Sequence, residues 1–314
     1  MPRTITIGFD GSAESRAAAE WAAREAKVRG LPLRLVEVRE SLPEPVARAP
    51  FPGAQTGRQE KGGGEAESLP ADGWGTTPGE AATGLRLRHP GVEVTTEQVA
   101  GRPHEVLVKA AEDAELLVLG SRGMSGFAGF LVGSVGLAVV ARTERPVVLV
   151  RAGEQAADEH EPDPTGIPSA ATRYRPVLLG VDADWPDDAV IRFAFAEAAR
   201  RGTGLRVLHG WNLPPYYVHG LPADPDVYRV IAEERTATLA KVLRPWRAEF
   251  EDVDVVEESF GGSPSIRLID ASREASLVVV GRRVRRNPFG IRIGSITHAV
   301  LHHAAAPVAV VAHD

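Results

Sequence analysis

The chain has 314 residues, room for two domains of ordinary size, and 43% of them are hydrophobic, 25% charged and none cysteine. The missing cysteines exclude disulfides, thiolate metal centres and a thiol nucleophile. A formal net charge of −6 argues against a surface that coats nucleic acid, so no nucleic-acid partner is expected. The start, Met1-Pro2-Arg3-Thr4-Ile5-Thr6-Ile7, lacks the charged and apolar regions of a secretory signal, and the reading is a cytoplasmic protein.

In chain order, residues 4–9 read as a strand, residues 12–29 as a helix with Ser12 at its N-cap, and residues 33–38 as a second strand. Residues 41–84 then hold six prolines and nine glycines. No apolar periodicity survives there, and the expectation is a long flexible insertion. A strand at 92–99, a helix at 103–112 with proline in its first turn, a strand at 116–120, a helix at 133–142 and a strand at 146–151 follow. Residues 153–172 are polar and form the expected linker. The second half supplies strands at 176–182, 205–211, 253–260, 277–281 and 307–312, and a long helix at 226–250 where the first half has its insertion.

One stretch imitates a membrane span: nineteen uncharged residues separate Arg122 from Arg142, with Gly129 and Gly133 spaced as in packed membrane helices. Five of the nineteen are glycine, and the matching stretch of the second half carries Arg285, Arg286 and Arg292, each costly in a bilayer. No membrane partner is expected.

The two halves repeat each other. Gly101-Arg102-Pro103 matches Gly262-Ser263-Pro264, Leu119-Gly120 matches Val280-Gly281, Gly133-Ser134 matches Gly294-Ser295, and Pro146-Val147 matches Pro307-Val308, each pair 161 residues apart. The opening strands, Gly8-Phe9-Asp10 and Gly180-Val181-Asp182, are 172 apart, so the first copy holds 11 extra residues before Gly101. The expected domains are 1–152 and 173–314. Strands alternating with helices, and near-continuous apolar strands such as Leu116-Leu117-Val118-Leu119, imply an α/β fold, each copy a five-stranded parallel sheet with helices on both faces. Ligands of such sheets sit beyond the carboxyl ends of the strands, where the strand order reverses.

The glycines of the first copy fall at that address. Gly120 ends a strand, Gly123 lies in the connection, and Gly133-Ser134 opens a helix. Glycines there let backbone N–H groups approach an anion, and the helix start favours negative charge. Glycines also end strands and open helices for geometric reasons alone, and this local pattern leaves both readings open.

The spacing Gly120-x2-Gly123-x9-Gly133-Ser134 resembles the ATP-binding signature of the universal stress protein family. Gly8-Phe9-Asp10-Gly11-Ser12, Gly101-Arg102-Pro103, Ser121-Arg122-Gly123 and Arg145-Pro146-Val147-Val148-Leu149-Val150 are similar to other landmarks of that family. Both copies are covered, so the chain resembles a tandem universal stress protein, which implies two Rossmann-like domains of the adenine-nucleotide α-hydrolase-like type. The resemblance implies ATP as ligand, with Mg2+ accompanying the triphosphate. It places Asp10 beside the nucleoside, the backbone of Val38 at the adenine edge, Gly120 and Gly123 along ribose and phosphates, and Gly133, Ser134 and Val135 on the phosphate chain. From the residues alone, Asp10 is equally a turn former or helix cap.

The second copy departs from the signature. Val284 stands where the second glycine belongs, and Ala183-Asp184 replaces Gly11-Ser12, which adds a carboxylate that is expected to repel a triphosphate. Arg282, Arg283, Arg285, Arg286 and Arg292 crowd one loop; phosphate neutralisation and a plain solvated face both account for them. His298 and His302 lie one helical turn apart without the glutamate of a zinc-protease motif, and the first copy has Leu137 and Ala141 there, so no metal is assigned to them.

Three functions are compatible with this sequence: an ATP-binding stress-response or signalling module, with ATP chiefly in the first domain; a slow Mg-dependent ATP hydrolase; and an interaction scaffold without nucleotide. No nucleophile with its base is evident, and no catalytic residue is assigned. Expected partners are an adenine nucleotide and proteins the sequence does not name. The two copies are expected to pair through their last strands as an intramolecular pseudo-dimer, and further homodimerisation is left open.

Overall fold

The computed structural model describes residues 3–40, 77–121, 132–212, 225–284 and 293–314. In the first half, β1 (Thr4–Gly8), α1 (Ala13–Arg29), β2 (Leu33–Arg39), α2 (Pro78–Arg88), β3 (Val94–Ala100), α3 (Pro103–Glu112), β4 (Ala114–Ser121), α4 (Ser134–Val140) and β5 (Val147–Arg151) follow one another. The second half repeats the plan with β6 (Val177–Gly180), α5 (Asp188–Arg201), β7 (Leu205–Trp211), α6 (Pro225–Glu249), β8 (Val255–Gly261), α7 (Pro264–Ala271), β9 (Leu277–Arg283), α8 (Ser295–His303) and β10 (Val308–His313).

The ten strands form one sheet in the order β3-β2-β1-β4-β5-β10-β9-β6-β7-β8. Every pairing within a half is parallel. The two halves meet where β5 and β10 run antiparallel, with Val308 opposite Leu149 and Val310 opposite Val147. Each last strand would otherwise expose unpaired backbone groups, and here each covers the other.

Alternate residues of the central strands feed two apolar layers. Ile5, Ile7, Leu116, Val118, Val177 and Val279 pack with Trp21 of α1, Phe195 of α5 and Leu239 and Leu243 of α6. Leu117, Leu119, Val278 and Val280 face the other way, with Leu107 of α3, Val139 of α4, Leu268 of α7 and Val300 of α8. Both faces of β4 and β9 are therefore buried, which explains their unbroken apolar sequence. Among the described residues, no helix is long and apolar enough to cross a membrane.

Helix α1 shows how sequence sets an element's limits. Ser12 caps it by accepting from the Ser15 N–H, six buried alanines let it lie close on the sheet, and Gly30 ends it in the left-handed conformation at φ 65°. Asp187 and Gly202 do the same for α5.

The expected insertion at 41–84 is described from Thr77 onward, and there the chain is helical. Thr77 and Glu80 form a capping box, Pro78 opens α2, and Ala81, Ala82 and Leu85 are buried. Residues 41–76 lie outside the described residues. The connection between the halves is held to the body: Arg24 of α1 binds both Glu154 and Glu159, and Glu161 N–H donates to the Arg173 carbonyl.

A buried ionic cluster joins the two halves. Glu25 and Arg29 of α1 meet Glu197 and Arg201 of α5: Glu25 binds Arg29 at 2.5 Å and Arg201 at 2.6 Å, while Glu197 binds Arg29 at 2.6 Å and its own neighbour Arg201. Burial pushes the Glu25 carboxyl up, but the Arg201 and Arg29 guanidiniums pull it down to about 2. Burial and the Glu25 charge push the Glu197 carboxyl the other way, so the two carboxylates titrate as one coupled pair.

Candidate functional site

In the first half the strand order reverses at β1, whose neighbours are β2 and β4, and the carboxyl ends of β1 and β4 lie side by side. The turn after β1 is tightly specified. Asp10 Oδ1 accepts from the Ser12 N–H (3.0 Å) and the Ser12 hydroxyl (2.6 Å), and Gly11 takes a φ of 77° that few side chains tolerate. Burial pushes the Asp10 carboxyl up, yet the bonds from the Ser12 hydroxyl and N–H hold it below its ordinary value. Asp10 is thus an exposed, ionised carboxylate with one oxygen engaged in shaping the turn. The turn-forming role is visible in the structure.

Gly120 sits directly beneath the first turn of α1. A Cβ there would come within 2.5 Å of the Glu14 carbonyl carbon and 2.7 Å of the Ser15 nitrogen. Helix packing alone therefore requires this glycine, whatever it binds. Gly133 is the N-cap of α4 and makes no side-chain cap bond; Ser134 is exposed and Val135 half-buried. The opening N–H groups of α4 are left for solvent or an anion. Val38 pairs in register with Val99 of β3 and packs its side chain on the α3 layer, leaving its backbone in the strand. Gly123 lies outside the described residues. Asp10, Gly120, Gly133 and Ser134 share the carboxyl edge of the β1–β4 region, and Val38 belongs to the adjacent strand β2.

The matching edge of the second half opens a cavity of about 800 Å³, lined among others by Asp184, Trp185, His209, Trp211, Arg235 and His313. Two sequence expectations change here. Asp184 was expected to repel a triphosphate, but its carboxylate is paired with Arg235 of α6. Arg282 was read with the loop arginines, but it is 4% exposed and donates to the carbonyls of Ala141 and Thr143 in the first half. A new feature replaces them: the His313 ring packs on Gly281, 2.9 Å from where a Cβ would stand, and Thr297 donates to the Gly281 carbonyl. The first copy has Ala152 and Gly136 at those places. Arg283 lines the cavity, and Arg285, Arg286 and Arg292 lie outside the described residues.

His302 is buried and its Nδ1 accepts from the Val132 N–H at 3.4 Å, with the His298 ring 4.4 Å away. Burial, then the charges of His302 and His303, hold the His298 ring below its ordinary pKa. Among the described residues no group of three or more potential ligands is placed to hold a metal.

These features define a tandem pair of Rossmann-like α/β domains that share one sheet and present a crest at the carboxyl ends of each half's strands. The sequence model of the universal stress protein family matches residues 1–151 and again 173–312. Two universal stress proteins of Mycobacterium tuberculosis are similar along the whole chain. One is 31% identical over 306 residues and the other 32% over 314; each match covers 98% of this chain, and 96% and 94% of the relatives. The crystal structure of a universal stress protein from Archaeoglobus fulgidus has the same fold, with a TM-score of 0.63 at 18% identity over 99% of this chain and 98% of that one. The chain belongs to the universal stress protein family.

Proposed function

We propose that the protein binds ATP at the first crest and works as a nucleotide-dependent stress-response or signalling module. The observation that carries this reading is the convergence of the Asp10 turn, Gly120 and the uncapped start of α4 on one edge of the sheet. The backbone of Val38 would meet the adenine edge, and Gly133, Ser134 and Val135, with Gly123 from outside the described residues, would hold the phosphates. The residues fit a nucleotide-borne Mg2+ as well. Such an ion keeps most of its shell as water and phosphate oxygens and asks the protein for one or two carboxylates, and Asp10 offers one that is ionised.

The second crest we read as the weaker ATP site. Val284 stands in place of a glycine, and the His313 ring packs against Gly281, where the first copy has Ala152 at the equivalent position. The Asp184 charge is no part of this reading, because Arg235 offsets it. Calorimetric titration with Mg-ATP tests the assignment: Gly123→Val should weaken binding strongly, and equal affinity in wild type and variant would remove the phosphate role. Phosphate release over hours at saturating Mg-ATP tests the hydrolase alternative, and absence of any ATP binding would leave the scaffold reading.

A further inference from the structure

Helix α4, which carries Ser134 and Val135, has only seven residues, too few to hold their own shape in water. Neither end carries a dedicated capping residue: Gly133 provides no side-chain cap, and the C-cap Ala141 has ordinary helical backbone angles rather than the left-handed glycine that ends α1. Its placement is therefore set by what surrounds it. Val139 and Val140 anchor it to the core. The Ala141, Arg142 and Thr143 N–H groups close its last turn on the Leu137 and Val139 carbonyls, and further bonds at both ends come from the other half of the chain.

Ahead of the helix, the Val132 N–H donates to Nδ1 of His302, a residue of α8 in the second domain that is 8% exposed. Beyond it, Arg282, from the end of β9, donates to the Ala141 carbonyl at 3.4 Å and the Thr143 carbonyl at 2.5 Å. A buried guanidinium at the carboxyl end of a helix also meets the negative end of the helix dipole. The arrangement is answered from the other side, where Arg151 of β5 reaches the His302 carbonyl at 3.5 Å. Ala141 and His302 are equivalent positions of the two copies, 161 residues apart. Each domain thus sends an arginine to the same carbonyl of the other's last helix.

We propose that the second domain acts as a clamp on the first domain's nucleotide site: His302 and Arg282 are positioning residues that grip α4 at both ends and hold Gly133 and Ser134 in binding geometry. This rests on the reading of Gly133 and Ser134 as nucleotide contacts. Binding at the first crest and the packing of α8 against it are then coupled, and the coupling acts equally in both directions.

The test uses the full chain and two readouts, Mg-ATP titration and amide hydrogen exchange of residues 132–140. His302→Leu keeps an apolar side chain of similar reach but removes the acceptor, and His302→Gln returns an acceptor to the Val132 N–H. Arg282→Met keeps the stem and removes the donors to Ala141 and Thr143. Loss of one such bond should weaken ATP binding roughly three- to tenfold and speed exchange at 132–140 in the Leu and Met variants, while His302→Gln should stay near wild type in both. Unchanged exchange in His302→Leu and Arg282→Met, or His302→Gln as impaired as His302→Leu, overturns the clamp. If wild type binds no ATP, the nucleotide reading fails and so does the clamp as a device for binding; slowed exchange in wild type and His302→Gln would then show only a structural contact.

Discussion

The ionic cluster between α1 and α5 offers the sharpest energetic test of how the halves are joined. Its four side chains, Glu25, Arg29, Glu197 and Arg201, are between 1% and 5% exposed. Arg201→Leu removes one guanidinium and leaves Glu25 and Glu197 sharing Arg29, with Arg200 at the rim. Breaking a buried pair from one side costs about 3–5 kcal/mol, because a desolvated charge is left without compensation. At about 2 °C per kcal/mol in a chain of this size, the melting temperature should fall by roughly 6–10 °C. The exposed pair Arg229–Glu233, with side chains 62% and 66% exposed, is the control; Arg229→Ala should change stability by at most about 1 kcal/mol. Urea unfolding followed by far-ultraviolet circular dichroism measures both. An Arg201→Leu variant within about 1 kcal/mol of wild type would refute the reasoning, since it would mean that water reaches these charges and that the interface does not depend on them.

Three further outcomes are expected. Gly120→Ala should lower unfolding stability by about 1–3 kcal/mol through the clash with the Glu14–Ser15 backbone, and a denaturation midpoint equal to wild type would mean the helix yields freely. Glu25 is held at about 2 in the folded chain against roughly 4.3 unfolded, so its contribution is full above the unfolded value and is lost as pH falls toward 2; unfolding free energies measured from pH 6 to pH 2 should fall less steeply in Glu25→Gln. Native mass spectrometry at saturating Mg-ATP should show one tightly held nucleotide per chain, and two of similar affinity would contradict the role given to Val284 and His313.

Much of this architecture was readable from the chain alone because the repeat supplies its own control. Two copies of the same strand–glycine–helix plan, offset by 161 residues, fixed the parallel sheet and located both crests, and the last strands, each free on one side, pointed to each other. What was missed has physical causes. Helix α2 was hidden by counting glycines and prolines over a wide window; its local signal, Thr77-Pro78-Gly79-Glu80 ahead of Ala81, Ala82 and Leu85, is a capping box with proline at the first position. The fate of Asp184 depended on Arg235, which lies 51 residues away and is brought near only by packing. Arg282 looked like one of a solvated run, yet β9 extends to Arg283, and strand alternation places residue 282 on the inner face with Val278 and Val280. The Glu25–Arg29 step recurs as Glu197–Arg201 at the same 172-residue offset as the opening strands, a signal that only the assembled sheet turned into an interface.

That recurrence separates two kinds of residue. Across a two-fold axis, each contact is made twice, residue to counterpart and counterpart back. Glu25 with Arg201 and Glu197 with Arg29 obey this rule within a single chain. The crests do not. Ser12 answers to Asp184, which needs Arg235; Ala152 answers to His313, which packs on Gly281; and Ala141, whose carbonyl is held by Arg282, answers to His302, whose imidazole holds Val132. A pair of identical subunits could not break symmetry in this way, because one sequence would have to serve both sites. Joining the copies in one chain removes that restriction while leaving the ionic cluster symmetric. The sites have diverged and the ionic cluster has not, so a substitution at one crest has no reason to act alike at the other, whereas substitutions at Glu25 and at Glu197 should weaken the same cluster.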